Sequence, residues 1–174
     1  MEPVVKLFHH QPCNILKVHK MNKITVLFIT LCILAISQNG SSNELDIFTA
    51  AREGDSAAIT KYVLQGGDIN RVNAKSYTPF ILAAYYGQTE ALETLLQLGA
   101  NACALDNKGS NAFMGVAFKG HLQVAKWLLE NTPCAVDHQN HAGQTALMMA
   151  SLFGREQIIK LLLQYGAKPE LTDR

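Results

Sequence analysis

Apolar positions fall into two regimes along this chain. From Ile24 to Ile36 they form a run of 13 residues, and after Asn43 they come in short blocks, each closed by a glycine. Aligned on those glycines, Ala50-Ala51-Arg52-Glu53-Gly54, Ala83-Ala84-Tyr85-Tyr86-Gly87, Val116-Ala117-Phe118-Lys119-Gly120 and Ala150-Ser151-Leu152-Phe153-Gly154 recur at spacings of 33, 33 and 34 residues. A fixed period of this length predicts stacked helical units, each a helix pair that cannot cover its apolar face alone. The second unit is the most regular. Thr78 is placed to cap a helix and Pro79 to open it, where a missing N–H costs nothing. Gly87 supplies the left-handed stop, and Thr89 is expected to cap a second helix through Ala91, Leu92, Leu95 and Leu96 that ends at Gly99. Leu96, by its match to Leu129 and Leu163, is expected to face inward. The alanines, such as Ala83 and Ala84, let the next pair approach closely.

Four units fit the second part of the chain, at 43–73, 74–106, 107–139 and 140–174. In the first, Leu45-Asp46-Ile47-Phe48 replaces the Thr-Pro start, as suits an end unit with one face toward water. The third starts on Asn111-Ala112 and closes on Asn131-Thr132-Pro133-Cys134, where proline in place of glycine stops the helix. In the fourth, Arg155, Glu156, Lys160 and Gln164 can face solvent, whereas Met148, Met149, Leu152 and Phe153 are harder to hide.

The earlier regime has another character. Ile24–Ile36 follows lysines and precedes polar residues 37–42, with Ala35 and Ser37 spaced for cleavage before Gln38. It is shorter than the roughly 20 residues of a bilayer span. Residues 21–37 therefore read as a secretory signal starting at Met21, residues 38–42 as a linker and residues 1–20 as an over-extended N-terminus. Export to the periplasm or secreted space is the expectation. An uncleaved anchor in the inner membrane is the alternative.

Composition sharpens this picture. The 174 residues carry a formal net charge of +1, but four of the fifteen Lys and Arg residues precede residue 38, leaving 11 basic against 13 acidic side chains beyond it. No basic field exists there to attract nucleic acid. No phosphate-cradling glycine loop, paired carboxylates or Gly-x-Ser-x-Gly elbow occurs, so neither catalysis nor a small-molecule substrate or cofactor is expected.

The four in-phase units resemble ankyrin repeats over about residues 43–174. That resemblance implies an all-α solenoid of helix-turn-helix repeats joined by β-hairpin-like loops, with hairpin tips and first helices lining a concave face, and a non-enzymatic scaffold that binds another protein. With an export signal the chain looks like the periplasmic ankyrin proteins of bacteria. The family's Thr-Pro-Leu-His start lacks its histidine here, since Ile81, Met114 and Met148 stand at that position and should pack as apolar residues. His121, after a repeat glycine, is expected to be part of the scaffold. By the resemblance, Arg52-Glu53, Tyr85-Tyr86, Phe118-Lys119 and Leu152-Phe153 face the concavity, with Lys75, Tyr77, Lys108, Ser110, His141 and Gln144 near the hairpin tips. Large amphipathic rings among lysines are what a protein-binding surface favours. The opposite reading is that such rings pack between repeats; it weighs most for Tyr86 and Phe153.

Two alternatives attach to the loops. Cys134, His138 and His141 have a metal-like spacing without an evident fourth ligand, and with Cys103 they would suit a small metal- or redox-linked periplasmic protein. Cys103 and Cys134 could form a disulfide, but matching positions in adjacent repeats are expected about 10 Å apart, beyond the ~7 Å that a bridge spans. Free thiols are the expectation. A membrane-tethered adaptor is the third reading, should Ile24–Ile36 be retained.

Overall fold

A computed structural model describes residues 46–174. The expectations for residues 1–20, 21–37 and 38–42 lie outside the described residues. Among the described residues there are eight helices and no strand, and no helix is long and apolar enough to cross a membrane. The helices come in four pairs: α1 (Ile47–Glu53) with α2 (Ser56–Leu64), α3 (Pro79–Tyr86) with α4 (Thr89–Gln97), α5 (Ala112–Lys119) with α6 (Leu122–Asn131), and α7 (Ala146–Leu152) with α8 (Glu156–Gln164). The inner helices α1, α3, α5 and α7 pack in sequence against one another, and the outer helices α2, α4, α6 and α8 form a second layer behind them. The described residues form an all-α solenoid of four stacked helix pairs.

Local chemistry sets each inner helix. Thr78, Asn111 and Thr145 hold extended backbone conformations, and their side-chain oxygens accept from the backbone N–H three residues on, at Ile81, Met114 and Met148. Asp46 does the same for α1, accepting from Phe48 and Thr49. Each such cap is worth about 1 kcal/mol. Three of the four inner helices then end at a glycine in the left-handed region, Gly54, Gly87 or Gly120. These glycines are required twice over. A Cβ at Gly54 would lie 2.7 Å from Gln88 Oε1, and one at Gly87 would lie 3.1 Å from the His121 ring.

Those neighbours belong to a ladder that crosses the stack. Gln88 Nε2 donates to the Arg52 carbonyl at 2.8 Å, His121 Nε2 lies 3.1 Å from the Tyr85 carbonyl, and Arg155 donates to the Phe118 carbonyl through Nε and Nη2. A carbonyl can only accept, so His121 carries its proton on Nε2. His121 is thus scaffold, as expected, and Arg155 is drawn partly out of solvent into the same role. Gln88 also explains a difference from expectation at α4: Thr89 is the first helical residue, not the cap, and the residue at the cap makes no side-chain bond to α4 because its amide spans to the previous repeat.

The core runs as a continuous seam between the two layers. Ala50, Ala51, Ala83, Ala84, Ala117 and Ala150 are buried on the inner helices, while Leu92, Leu95, Val124, Leu128, Ile158 and Leu162 bury the outer ones. The inward leucine of the outer helix is therefore one residue earlier than expected. Leu95, Leu128 and Leu162 are fully buried, whereas Leu96 and Leu129 are half-buried and Leu163 is exposed. Ile81 and Met114 are packed apolar as the missing histidine implies; Met148 is half-buried. Pro133 acts through the residue before it. Thr132 is extended, as a residue preceding proline must be, and α6 ends there.

Candidate functional site

The hairpin tips that border the concave side are built by one repeated device. Asn73, Asp106 and Asn140, spaced like the glycines, each turn a side-chain oxygen back onto two backbone N–H groups: Lys75 and Tyr77, Lys108 and Ser110, Ala142 and Gln144. Successive tips join directly. Asn107 N–H donates to the Lys75 carbonyl, His141 N–H to the Lys108 carbonyl and Arg174 N–H to the Ala142 carbonyl. Between Lys75 and Tyr77 the chain turns through Ser76 at φ 60°, where the next tips have Gly109 and Gly143. A serine rarely adopts that conformation. The Asn/Asp period was readable in the sequence and is what holds Lys75, Tyr77 and Lys108 in place.

From the inner helices a row of rings crosses three repeats. Tyr85 and Phe118 stack with centroids 6.0 Å apart and planes at 15°, Phe118 meets Phe153 edge-on at 4.5 Å, and Tyr86 meets Tyr85 edge-on at 5.4 Å. Lys119 Nζ lies 5.2 Å from the Tyr85 centroid, a cation–π contact worth about 0.5–1 kcal/mol at an exposed site. Tyr86, Phe118, Lys119, Leu152 and Phe153 are exposed, and Tyr77 and Tyr85 are half-buried. Tyr77 also packs against the core. Its phenol is held above the ordinary range by burial first, then by the Asp106 carboxylate and by Tyr85, and so remains a neutral donor.

Tyr77, Tyr85, Phe118, Lys75, Lys108, Ser110 and Gln144 come together around a groove of about 450 Å³. Ser110 and Gln144 are partly occupied within the tips, since both accept from Asn140 Nδ2. His141 is exposed beside Lys108. Lys119 joins the same patch through Tyr85, while Leu152 lies in a separate hollow at the end of the stack with Leu147, Met148 and Leu163. Gly115, for which repeat phase gives no expectation, also lines the groove.

The loops differ from expectation. Cys103 and Cys134 form a disulfide with Cα atoms 5.4 Å apart. Their offset of 31 residues, not 33, makes this possible, because these loops touch the next repeat in that register: Asn101 N–H donates to Asn70 Oδ1 and Lys168 N–H to Asp137 Oδ1, both 31 residues apart. Of the metal- or redox-linked set, the two cysteines meet but the Cys134, His138 and His141 cluster does not assemble. The Cys134 sulfur is bonded to Cys103, His138 Nε2 lies 2.8 Å from the Gly109 carbonyl, and His141 stacks over Gly109. Among the described residues no group of three or more His, Cys, Asp or Glu side chains converges.

Comparison with known proteins agrees with this architecture. A family model for ankyrin repeats (3 copies) matches residues 47–140 and 100–173. The chain is 28% identical over 167 residues to YahD of Escherichia coli (strain K12), a protein named as an ankyrin repeat protein, covering 74% of this chain and 83% of that one. It is 28% identical over 148 residues to neurogenic locus notch homolog protein 1 of Danio rerio and 29% identical over 116 residues to the nuclear factor NF-kappa-B p105 subunit of Rattus norvegicus. These matches span only 6% and 12% of those two long proteins.

Proposed function

This chain belongs to the ankyrin-repeat family, and from that premise we propose that it is a non-enzymatic scaffold that binds a partner protein through its concave face. Ankyrin repeats are generally protein–protein interaction modules. The observation that carries the finer reading is the ring row Tyr85, Phe118 and Phe153, exposed in part beside Lys75, Lys108 and Lys119. A contiguous exposed apolar patch rimmed by polar residues marks an interaction site, and central aromatic anchors carry much of the energy at such interfaces. A photoreactive side chain at Phe118 should give protein adducts in cells, and one at Gln97, exposed on the outer helix α4, should not. Adducts at Gln97 alone would move the site to the convex side.

We further propose that the protein works outside the cytoplasm, in the periplasm or secreted space. Two features support this: the apolar run Ile24–Ile36 with its Ala35 and Ser37 spacing, and the Cys103–Cys134 disulfide, a bond that persists mainly in oxidising compartments. N-terminal sequencing of the mature protein should start within a few residues of Gln38. A mature chain that keeps Ile24–Ile36 would instead make it a membrane-tethered adaptor.

A further inference from the structure

Gly115 breaks the pattern of its own repeat. It lies five residues before the left-handed Gly120, the place that Leu82 takes in α3 and Met149 in α7. Leu82 is buried, so where α3 presents a leucine side chain α5 presents bare backbone. Gly115 lines the groove together with Tyr77, Ile81, Tyr85, Met114 and Phe118. A Cβ on Gly115 would stand 3.3 Å from Tyr85 Cδ2. Glycine within a helix costs about 1 kcal/mol relative to alanine; here it lets the edge of the Tyr85 ring approach the α5 backbone, while Gly115 itself stays half-buried on the groove.

The rim carries an excess of positive charge, three lysines against one carboxylate. Lys75 and Lys108 stand at equivalent positions on adjacent hairpin tips, and Lys119 covers Tyr85; among the described residues none of the three has an ion-pair partner. The one acid on the groove is Asp106, whose Oδ1 is taken by the Lys108 and Ser110 N–H groups. At the end of α1, Arg52 is paired with Asp46.

We propose that the Gly115 notch receives one large apolar side chain of an acidic peptide segment, whose carboxylates are held by Lys75, Lys108 and Lys119. This rests on the concave-face reading and names the chemistry of the partner. The notch supplies the anchor pocket, the Tyr85 and Phe118 rings its walls, and the lysines a field that selects against basic segments.

The test is a titration followed by backbone amide NMR, with acetyl-Asp-Glu-Phe-Glu-Asp-amide, the same peptide with alanine for phenylalanine, and a counterpart with lysine at every acid. The acidic phenylalanine peptide should shift the amides of Gly115, Tyr85 and Phe118 and bind more weakly as salt rises. The alanine peptide should bind about tenfold more weakly or worse, the scale of a single buried anchor, and the lysine peptide not at all. Gly115→Leu fills the notch and should abolish the shifts. In case it perturbs Tyr85 packing, the double variant Lys75→Glu/Lys108→Glu, confined to exposed side chains, should weaken binding at least about tenfold with an unchanged unfolding midpoint. Equal binding of the lysine peptide, shifts mapping outside the groove, or silence at millimolar peptide would overturn the proposal. Silence here combined with adducts at Phe118 removes the acidic-anchor inference and leaves the concave-face reading standing; silence in both removes both.

Discussion

Leu95→Ala should lower stability by about 2–5 kcal/mol, the range for deleting a buried leucine side chain whose surroundings cannot collapse. Leu95 is fully buried, and α4 packs between α2 and α6 as well as on its own inner helix α3. In a stack held by nearest neighbours, a cavity there weakens the interfaces on both sides of the second repeat. The control is Leu163→Ala on α8, whose side chain is 43% exposed, and a loss below about 1 kcal/mol is expected because most of its surface never leaves water. Urea unfolding followed by helical circular dichroism measures both. Equal losses would mean that the outer helices are rotated by one residue from the packing described here.

That one-residue rotation marks the limit of what periodicity shows. Leu95-Leu96, Leu128-Leu129 and Leu161-Leu162-Leu163 are adjacent apolar residues, 100° apart on a helix, and both members of a pair can touch the core edge. Only the placement of the preceding inner helix decides which points inward. The caps were easier to read, because Thr78-Pro79 and the left-handed glycines act over three or four residues and need no neighbour. Thr89 failed for the opposite reason. The competing partner for the residue before it, the Arg52 carbonyl, is 36 residues away.

The candidate site divides along the same line. Tyr77, Tyr85, Phe118, Lys75 and Lys108 were legible because the resemblance to ankyrin repeats assigns their positions to one side of the stack and the repeat phase carries that assignment from one unit to the next. Gly115 was not, since a missing side chain leaves no signal until Leu82 and Met149 are aligned with it. The disulfide was hidden by an assumption of equivalence: the 33-residue register describes helices, whereas the loops behind the outer helices meet in a 31-residue register.

Breaking that disulfide should have the second large effect. It links residues 31 apart and encloses α5 and α6, so in the unfolded chain it restrains the whole helical part of the third repeat. Loop-closure entropy for this length gives about 3–4 kcal/mol. With a domain of this size, the unfolding midpoint should fall by about 10 °C when the bond is reduced or both residues become serine in Cys103→Ser/Cys134→Ser. The site of the link predicts more than a shift. It joins the loop after α4 to the loop after α6, across the interface between the second and third repeats, and without it neighbouring repeats are held by packing and hydrogen bonds alone, through the carbonyl ladder, the hairpin tips and the loops. The reduced protein should therefore unfold over a broader range, with its two halves less coupled. Calorimetry with and without a phosphine reductant measures this, and the double serine variant should be insensitive to the reductant. A wild-type midpoint that the reductant leaves unchanged would show that the two sulfurs are not bonded in solution, and the support that this bond lends to an extracytoplasmic site of action would go with it.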